Sequence, residues 1–182
     1  MTRLVFLHGV GSSGAALRPL AQALGLDLMA HFPDGTDPFD MGPGRQWFSV
    51  QGVTEANRPA RTAKALPAFR ATVESFGDPA ETVLVGFSQG AIMALHAVAA
   101  GMPAKAVFAL SGRLAGPVPA RADWPDIHLL HGAQDGVISA DFARATEGWL
   151  RDAGAAPRLQ VFPALGHSID ARTLAAMREA LA

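Results

Sequence analysis

The chain has 182 residues, 49% of them apolar, with 15 basic and 16 acidic side chains and a formal net charge of −1. That length fits one domain, spanning 1–182, with a substantial core, and the mixed charge leaves no basic stripe to bind nucleic acid or an anionic membrane. Cysteine is absent, which excludes disulfides, thiolate catalysis and cysteine-ligated metals.

Leu4-Val5-Phe6-Leu7 is a short continuous apolar run, the mark of a strand buried on both faces. Because the chain enters this strand within three residues, its start does not read as a signal peptide, and the cytoplasm is the expected location. The loop His8-Gly9-Val10-Gly11-Ser12-Ser13-Gly14 follows, then an expected helix over 15–24 with Leu17, Leu20, Ala21 and Leu24 on one face. A second strand is expected over 26–32. Residues 33–53 are rich in Gly, Pro and Asp and hold Trp47 and Phe48; so long an aperiodic segment reads as a lid or pocket wall. The helical region after it is expected in two pieces, because Pro67 interrupts it. Leu66, Phe69, Val73 and Phe76 share one apolar face, and Gly77-Asp78-Pro79 ends the region.

Thr82-Val83-Leu84-Val85 is a third strand, followed by Gly86-Phe87-Ser88-Gln89-Gly90 and then an apolar helix. The apolar stretch 91–104 is too short to span a bilayer, and no stable membrane insertion is expected. Further strands are expected at 106–110, 127–130 and 159–162. An irregular stretch over 111–124 carries Trp124, a helix capped by Ser139 reaches about Arg151, and a last helix ends near Leu181. Strands alternating with helices imply a mostly parallel sheet of about six strands with helices on both faces.

Gly-x-Ser-x-Gly between a strand and a helix is the setting of a nucleophile elbow, in which flanking glycines let strand and helix approach while the serine occupies a strained turn. Ser88, Asp135 and His167 each fall in a loop after a different predicted strand, at the edge where such loops converge. Their order in the chain is that of the α/β-hydrolases. Serine needs a base to become a useful nucleophile, a role for His167, and the base needs a carboxylate to hold its tautomer, a role for Asp135. The oxyanion donors expected are the backbone N–H groups of Gln89, beside the nucleophile, and Val10, in the first loop. Trp47, Phe48 and Trp124 are expected as walls of the substrate site, the alternative for each being an anchor packed on the core.

Asp126 precedes its strand, at the wrong edge, and Asp141 falls in a helix's first turn, where negative charge is favoured without any catalytic duty. His8 and His131 open loops that they are suited to hold by hydrogen bonding, while His31, His96 and His128 lie within predicted elements. The six histidines are scattered singly with no His-Glu-x-x-His, so no metal is expected. Gly9-Val10-Gly11-Ser12-Ser13-Gly14 matches the spacing of a dinucleotide fingerprint, with Asp27 at a tolerable offset, but that reading leaves Ser88, Asp135 and His167 without a role.

The chain resembles the phospholipase/carboxylesterase family, which includes acyl-protein thioesterases. The matching segments run in order along almost the whole chain: Leu7-His8-Gly9-Val10-Gly11, Gln46-Trp47-Phe48, Gly86-Phe87-Ser88-Gln89-Gly90, Leu110-Ser111-Gly112, His131-Gly132 with Asp135 and Val137, and Gly166-His167-Ser168. The resemblance implies an α/β-hydrolase fold and a cofactor-free serine hydrolase for small-molecule carboxylic esters or thioesters. It maps Ser88, Asp135 and His167 to the catalytic triad and Val10 and Gln89 to the oxyanion hole, and it implies a homodimer as one common assembly. Ala91 stands where the family commonly has glycine, Ser49 replaces an acidic residue, and Ile138-Ser139 replaces a Val-Pro-like continuation. These departures, and a chain shorter than typical members, favour short to medium acyl chains. Lysophospholipase or acyl-protein thioesterase activity, and a non-catalytic binding role on the same scaffold, are the alternatives.

Overall fold

In the computed structural model, which describes residues 2–181, the apolar runs line up as one parallel sheet. Its elements begin with β1 (Arg3–Leu7), a 3-10 turn at Gly14–Leu17, α1 (Arg18–Leu24) and β2 (Met29–His31). The two-residue strands β3 (Asp37–Pro38) and β4 (Arg45–Gln46) form a separate small hairpin, and α2 (Arg58–Glu74) follows. The chain continues with β5 (Thr82–Phe87), α3 (Gln89–Ala99), β6 (Ala106–Leu110), β7 (Asp126–Gly132), α4 (Ala140–Asp152), β8 (Arg158–Phe162) and α5 (Ala171–Leu181). The six-stranded sheet has the order β2-β1-β5-β6-β7-β8, and every pairing in it is parallel.

Side chains alternate across each strand, and here both faces are covered. Val5, Leu7, Leu84, Val107, Ala109, Ile127 and Leu129 pack with residues of α2, α3 and α4 on one face. Leu4, Phe6, Val83, Val85, Phe108 and Leu130 pack with α1 and α5 on the other. This is why the central strands read as unbroken apolar runs rather than as alternating ones. Among the described residues, no helix is long and apolar enough to cross a membrane.

Three expected elements differ in the structure. α2 is one helix, not two, with Pro67 inside it. Proline removes one N–H and frees the carbonyl four residues earlier, on Ala63, but both residues are exposed, where water can satisfy that carbonyl. The burial of Thr62, Phe69 and Val73 on the opposite side keeps the helix continuous. The second strand spans only Met29–His31, because this edge strand pairs with β1 over Arg3, Leu4 and Val5 alone. The first helix begins later than expected: Pro19, at the start of α1, marks its first turn, and the preceding residues form the 3-10 turn.

Candidate active site

Strand β5 ends in a turn that only a few residue types tolerate. Ser88 has φ 53° and ψ −116°, a left-side conformation that costs a non-glycine residue on the order of 1–3 kcal/mol and persists only when its surroundings enforce it. The enforcement is visible in the two flanking glycines. A Cβ on Gly86 would sit 2.5 Å from the Ala91 backbone, and one on Gly90 would sit 2.1 Å from the Leu7 carbonyl oxygen. The Ser88 N–H donates to Leu110 O at 2.9 Å, and Ser88 O accepts from Ile92 N–H at 3.0 Å, so the turn is tied to β6 and to the first turn of α3. Ala91, in place of the family's glycine, is fully buried, and the methyl it adds is accommodated by Gly112, where a further Cβ would lie 2.3 Å from it.

Asp135 and His167 come from neighbouring loops that are stitched together. Ala133 N–H donates to Phe162 O and Gln134 N–H to Leu165 O, both at 2.9 Å. Gly132 permits the approach, since a Cβ there would lie 2.3 Å from Leu165 O. His167 Nδ1 lies 2.8 Å from Asp135 Oδ2, and His167 Nε2 lies 2.9 Å from Ser88 Oγ. An ionised carboxylate only accepts, so Nδ1 carries the proton and Nε2 is left to accept from the serine hydroxyl. Thus the three residues, distant in sequence, form one hydrogen-bonded line.

The Asp135 side chain is fully buried. Burial alone would raise its carboxyl, but the Ile138 N–H, His167 and the Val137 N–H together outweigh it and hold the group below the usual carboxylate range. Oδ1 takes the Val137 and Ile138 amides at 2.9 and 2.8 Å, which leaves Oδ2 for the imidazole. The rival carboxylates lie elsewhere: Asp126 opens β7 at the opposite edge, and Asp141 is exposed in the first turn of α4 beside Arg144.

Three of the other histidines hydrogen-bond within the fold rather than to Ser88. His8, fully buried, contacts Gly9 O through Nδ1 at 2.7 Å and accepts the Gly35 N–H at Nε2, and burial pushes its pKa down. His131 Nε2 lies 2.7 Å from Ile138 O, closing the turn that carries the acid. His96 accepts the Ala115 N–H and is pushed down to about 4, mainly by burial. The dinucleotide reading fails locally, because the Gly14 N–H that would face a phosphate is held by Asp34 Oδ1 at 2.8 Å.

Ser88 opens into a cleft of about 250 Å³ bounded by Gly9, Val10, Leu17, Phe87, Val137 and His167. Val10 therefore lines the same cleft as Ser88, and Gln89, the residue after it, is the first of α3. The expectation that Trp47, Phe48 and Trp124 form its walls is corrected, since none of the three lines it. Trp47 and Phe48 are core residues that border a separate cavity of about 440 Å³ beside Arg61 and Lys64 of α2. The half-buried Trp124 donates its indole N–H to Ala153 O and packs against the core. Large aromatics are recruited to whichever apolar contact buries most area, and here that contact is the core. Leu17 and Val137 bound the cleft instead. Neither carries a local signal for this role: Leu17 shares the helical apolar face of Leu20 and Leu24, and Val137 is one aliphatic residue in the loop after Asp135.

The phospholipase/carboxylesterase family model matches residues 2–182. The chain belongs to that family. Esterase YpfH of Escherichia coli (strain K12) is 38% identical over 181 residues, covering 94% of this chain and 78% of that protein. The carboxylesterase SOBER1 of Arabidopsis thaliana is 23% identical, covering 95% of this chain and 86% of its own length. The crystal structure of esterase PE8 superposes with a TM-score of 0.85 at 31% identity, covering 99% of this chain and 91% of that one. The sheet and its helices are accordingly an α/β-hydrolase fold, and the protein is an enzyme, a carboxylesterase.

Proposed function

We propose that the protein hydrolyses carboxylic esters of short to medium acyl length by two-step acyl transfer through Ser88, His167 and Asp135. The observation that carries this reading is the continuous line from Asp135 Oδ2 through His167 to Ser88 Oγ, with contacts of 2.8 and 2.9 Å. Ser88 Oγ attacks the ester carbonyl while His167 Nε2 takes the hydroxyl proton, forming a tetrahedral oxyanion. The Val10 and Gln89 backbone N–H groups are its donors, with Gln89 also adding the positive end of the α3 dipole. The C–O bond to the alcohol then breaks, and the alcohol leaves with the proton from His167. Water, deprotonated by His167, attacks the acyl-enzyme, and the acid departs as Ser88 recovers its proton. Asp135 keeps Nδ1 protonated throughout and stabilises the imidazolium.

The cleft volume of about 250 Å³ falls below the roughly 300–1,000 Å³ typical of sites for drug-sized ligands, which supports a small acyl group with the alcohol directed outward. A series of p-nitrophenyl esters from acetate to palmitate, run on wild type and Ser88→Ala, tests both parts. Ser88→Ala is expected to lose about 10⁴-fold or more in kcat, with the wild-type optimum at short chains. Full activity in Ser88→Ala would sink the mechanism. An optimum at palmitate would overturn the acyl-length reading and favour a lipid or thioester substrate.

A further inference from the structure

Trp47 connects the two segments assigned above as oxyanion donors, so the inference that follows rests on the Ser88 mechanism. The indole is 1% exposed, and Phe69 packs edge-on against it at 5.2 Å between ring centres. The Trp47 main-chain N–H donates to Gln89 Oε1 at 2.8 Å, and Gln89 Nε2 donates to Phe48 O at 2.7 Å. The Gln89 carboxamide thus grips the Trp47–Phe48 backbone at two points. On its other side, Trp47 Nε1–H donates to His8 O at 2.9 Å, and the His8 imidazole contacts Gly9 O at 2.7 Å. Val10 is the next residue. At the cleft the two segments converge, because a Cβ on Gly9 would lie only 3.3 Å from Ser88 Cβ.

We propose that Trp47 is a positioning residue for the oxyanion hole, fixing the Val10 N–H relative to the Gln89 N–H without touching the substrate. The physical reason is that two donors stabilise a tetrahedral oxyanion only when both are held where its charge develops. Gln89 is fixed by its place at the start of α3, whereas the 8–12 loop follows β1 and depends on tethers. The His8 carbonyl, at the root of that loop, is held by the indole across a 39-residue separation in sequence. Contacts that matter only once the oxyanion forms change kcat, whereas contacts to bound ester change KM.

The test is Trp47→Phe, which keeps an aromatic ring for Phe69 and leaves the main-chain bonds to Gln89 in place, while removing the indole N–H. The expected result is a loss of about tenfold in kcat with KM changed by less than about twofold. Binding of an aryl boronic acid should weaken by a similar factor. Boron accepts the Ser88 oxygen, the hydroxyl proton passes to His167, and the product is a tetrahedral borate that mimics the oxyanion. Gln89→Glu supplies a second variant should Trp47→Phe fail to fold, since it keeps the acceptor for Trp47 but loses the donor to Phe48 O. It should show the same loss confined to kcat and to boronate affinity. A rise in KM at unchanged kcat would make Trp47 part of the substrate wall and overturn the proposal, as would wild-type values for kcat and boronate affinity. Ser88→Ala, assayed alongside, separates the two failures. If it is inactive while Trp47→Phe behaves as wild type, only the positioning role falls; if it is active, the serine mechanism falls and this role with it.

Discussion

His131 Nε2 stands 3.3 Å from Asp135 Oδ2, the same oxygen that His167 Nδ1 engages at 2.8 Å. Its neighbours at that nitrogen, Asp135 Oδ2 and Ile138 O, are both acceptors, so Nε2 carries the proton. Burial lowers the His131 pKa and keeps the ring neutral near pH 7. His131 therefore closes the 135–138 turn from below, while the Val137 and Ile138 amides close it from within. His131→Leu is expected to lower kcat/KM by about tenfold through a displaced carboxylate. His131→Gln, which can place an amide N–H near the Nε2 position, should recover most of that loss. Equal activity in the two variants, in either direction, would show that the hydrogen bond is not what matters.

Asp135→Asn keeps the size of the side chain but presents an amide to His167, which favours the wrong tautomer. A loss in kcat of about 10⁴-fold is expected, with KM little changed. Stability should respond as well. The folded Asp135 carboxyl sits below its unfolded range, so its contribution is present above the ordinary value of about 3.9 and disappears as pH falls through the folded value. Urea unfolding between pH 5 and pH 3 should show a shallower decline in Asp135→Asn than in wild type.

Histidines dominate the response at milder acidity. His8, His96, His128 and His131 are all lowered chiefly by burial, so the native state holds fewer protons than the unfolded chain. For such groups stability is present above the unfolded value of about 6.5 and is lost as pH falls towards the folded one. His96 is pushed down to about 4, a shift that corresponds to on the order of 3 kcal/mol across that window. Melting temperatures are expected to fall between pH 6.5 and pH 4. His96→Gln, which keeps an acceptor for the Ala115 N–H, should flatten part of that slope; an unchanged slope would contradict the assignment.

Gly90→Ala tests the packing of the elbow. The added Cβ would meet Leu7 O at 2.1 Å, with Leu7 C at 2.5 Å and His8 O at 2.8 Å, all of them backbone atoms that cannot swing away. A destabilisation of about 3 kcal/mol is expected, with activity lost along with the turn. By contrast, Gly148→Ala, on α4 with nothing near its missing Cβ, should be neutral or stabilising.

Much of this molecule was legible before its structure. Strand β6 falls on the expected residues, and α4 starts just after its cap Ser139, whose hydroxyl accepts the Asp141 N–H. Both depend on local chemistry, an unbroken apolar run in one case and an N-cap in the other. Pro67 misled for a related reason. Its cost to a helix is local and readable, whereas the compensating burial of Phe69 and Val73 comes from packing against the rest of the core. Trp47 misled more completely, since an aromatic in an aperiodic segment reads equally well as a wall or an anchor until its partners, Gln89 and His8, are known.

What the amino-acid sequence determined by itself is whatever neighbouring residues decide: the strands and helices, the glycines around Ser88, and the order Ser, Asp, His. Only the tertiary structure decided which groups meet. Ser88 and His167 are 79 residues apart and His167 and Asp135 are 32 apart, and their contacts exist because parallel strands deliver their loops to one edge of the sheet. The same holds for Leu17 and Val137 at the cleft and for Trp47 behind it. Local pattern encodes conformation, but contact between distant residues is set by packing, and packing is where the site was assembled.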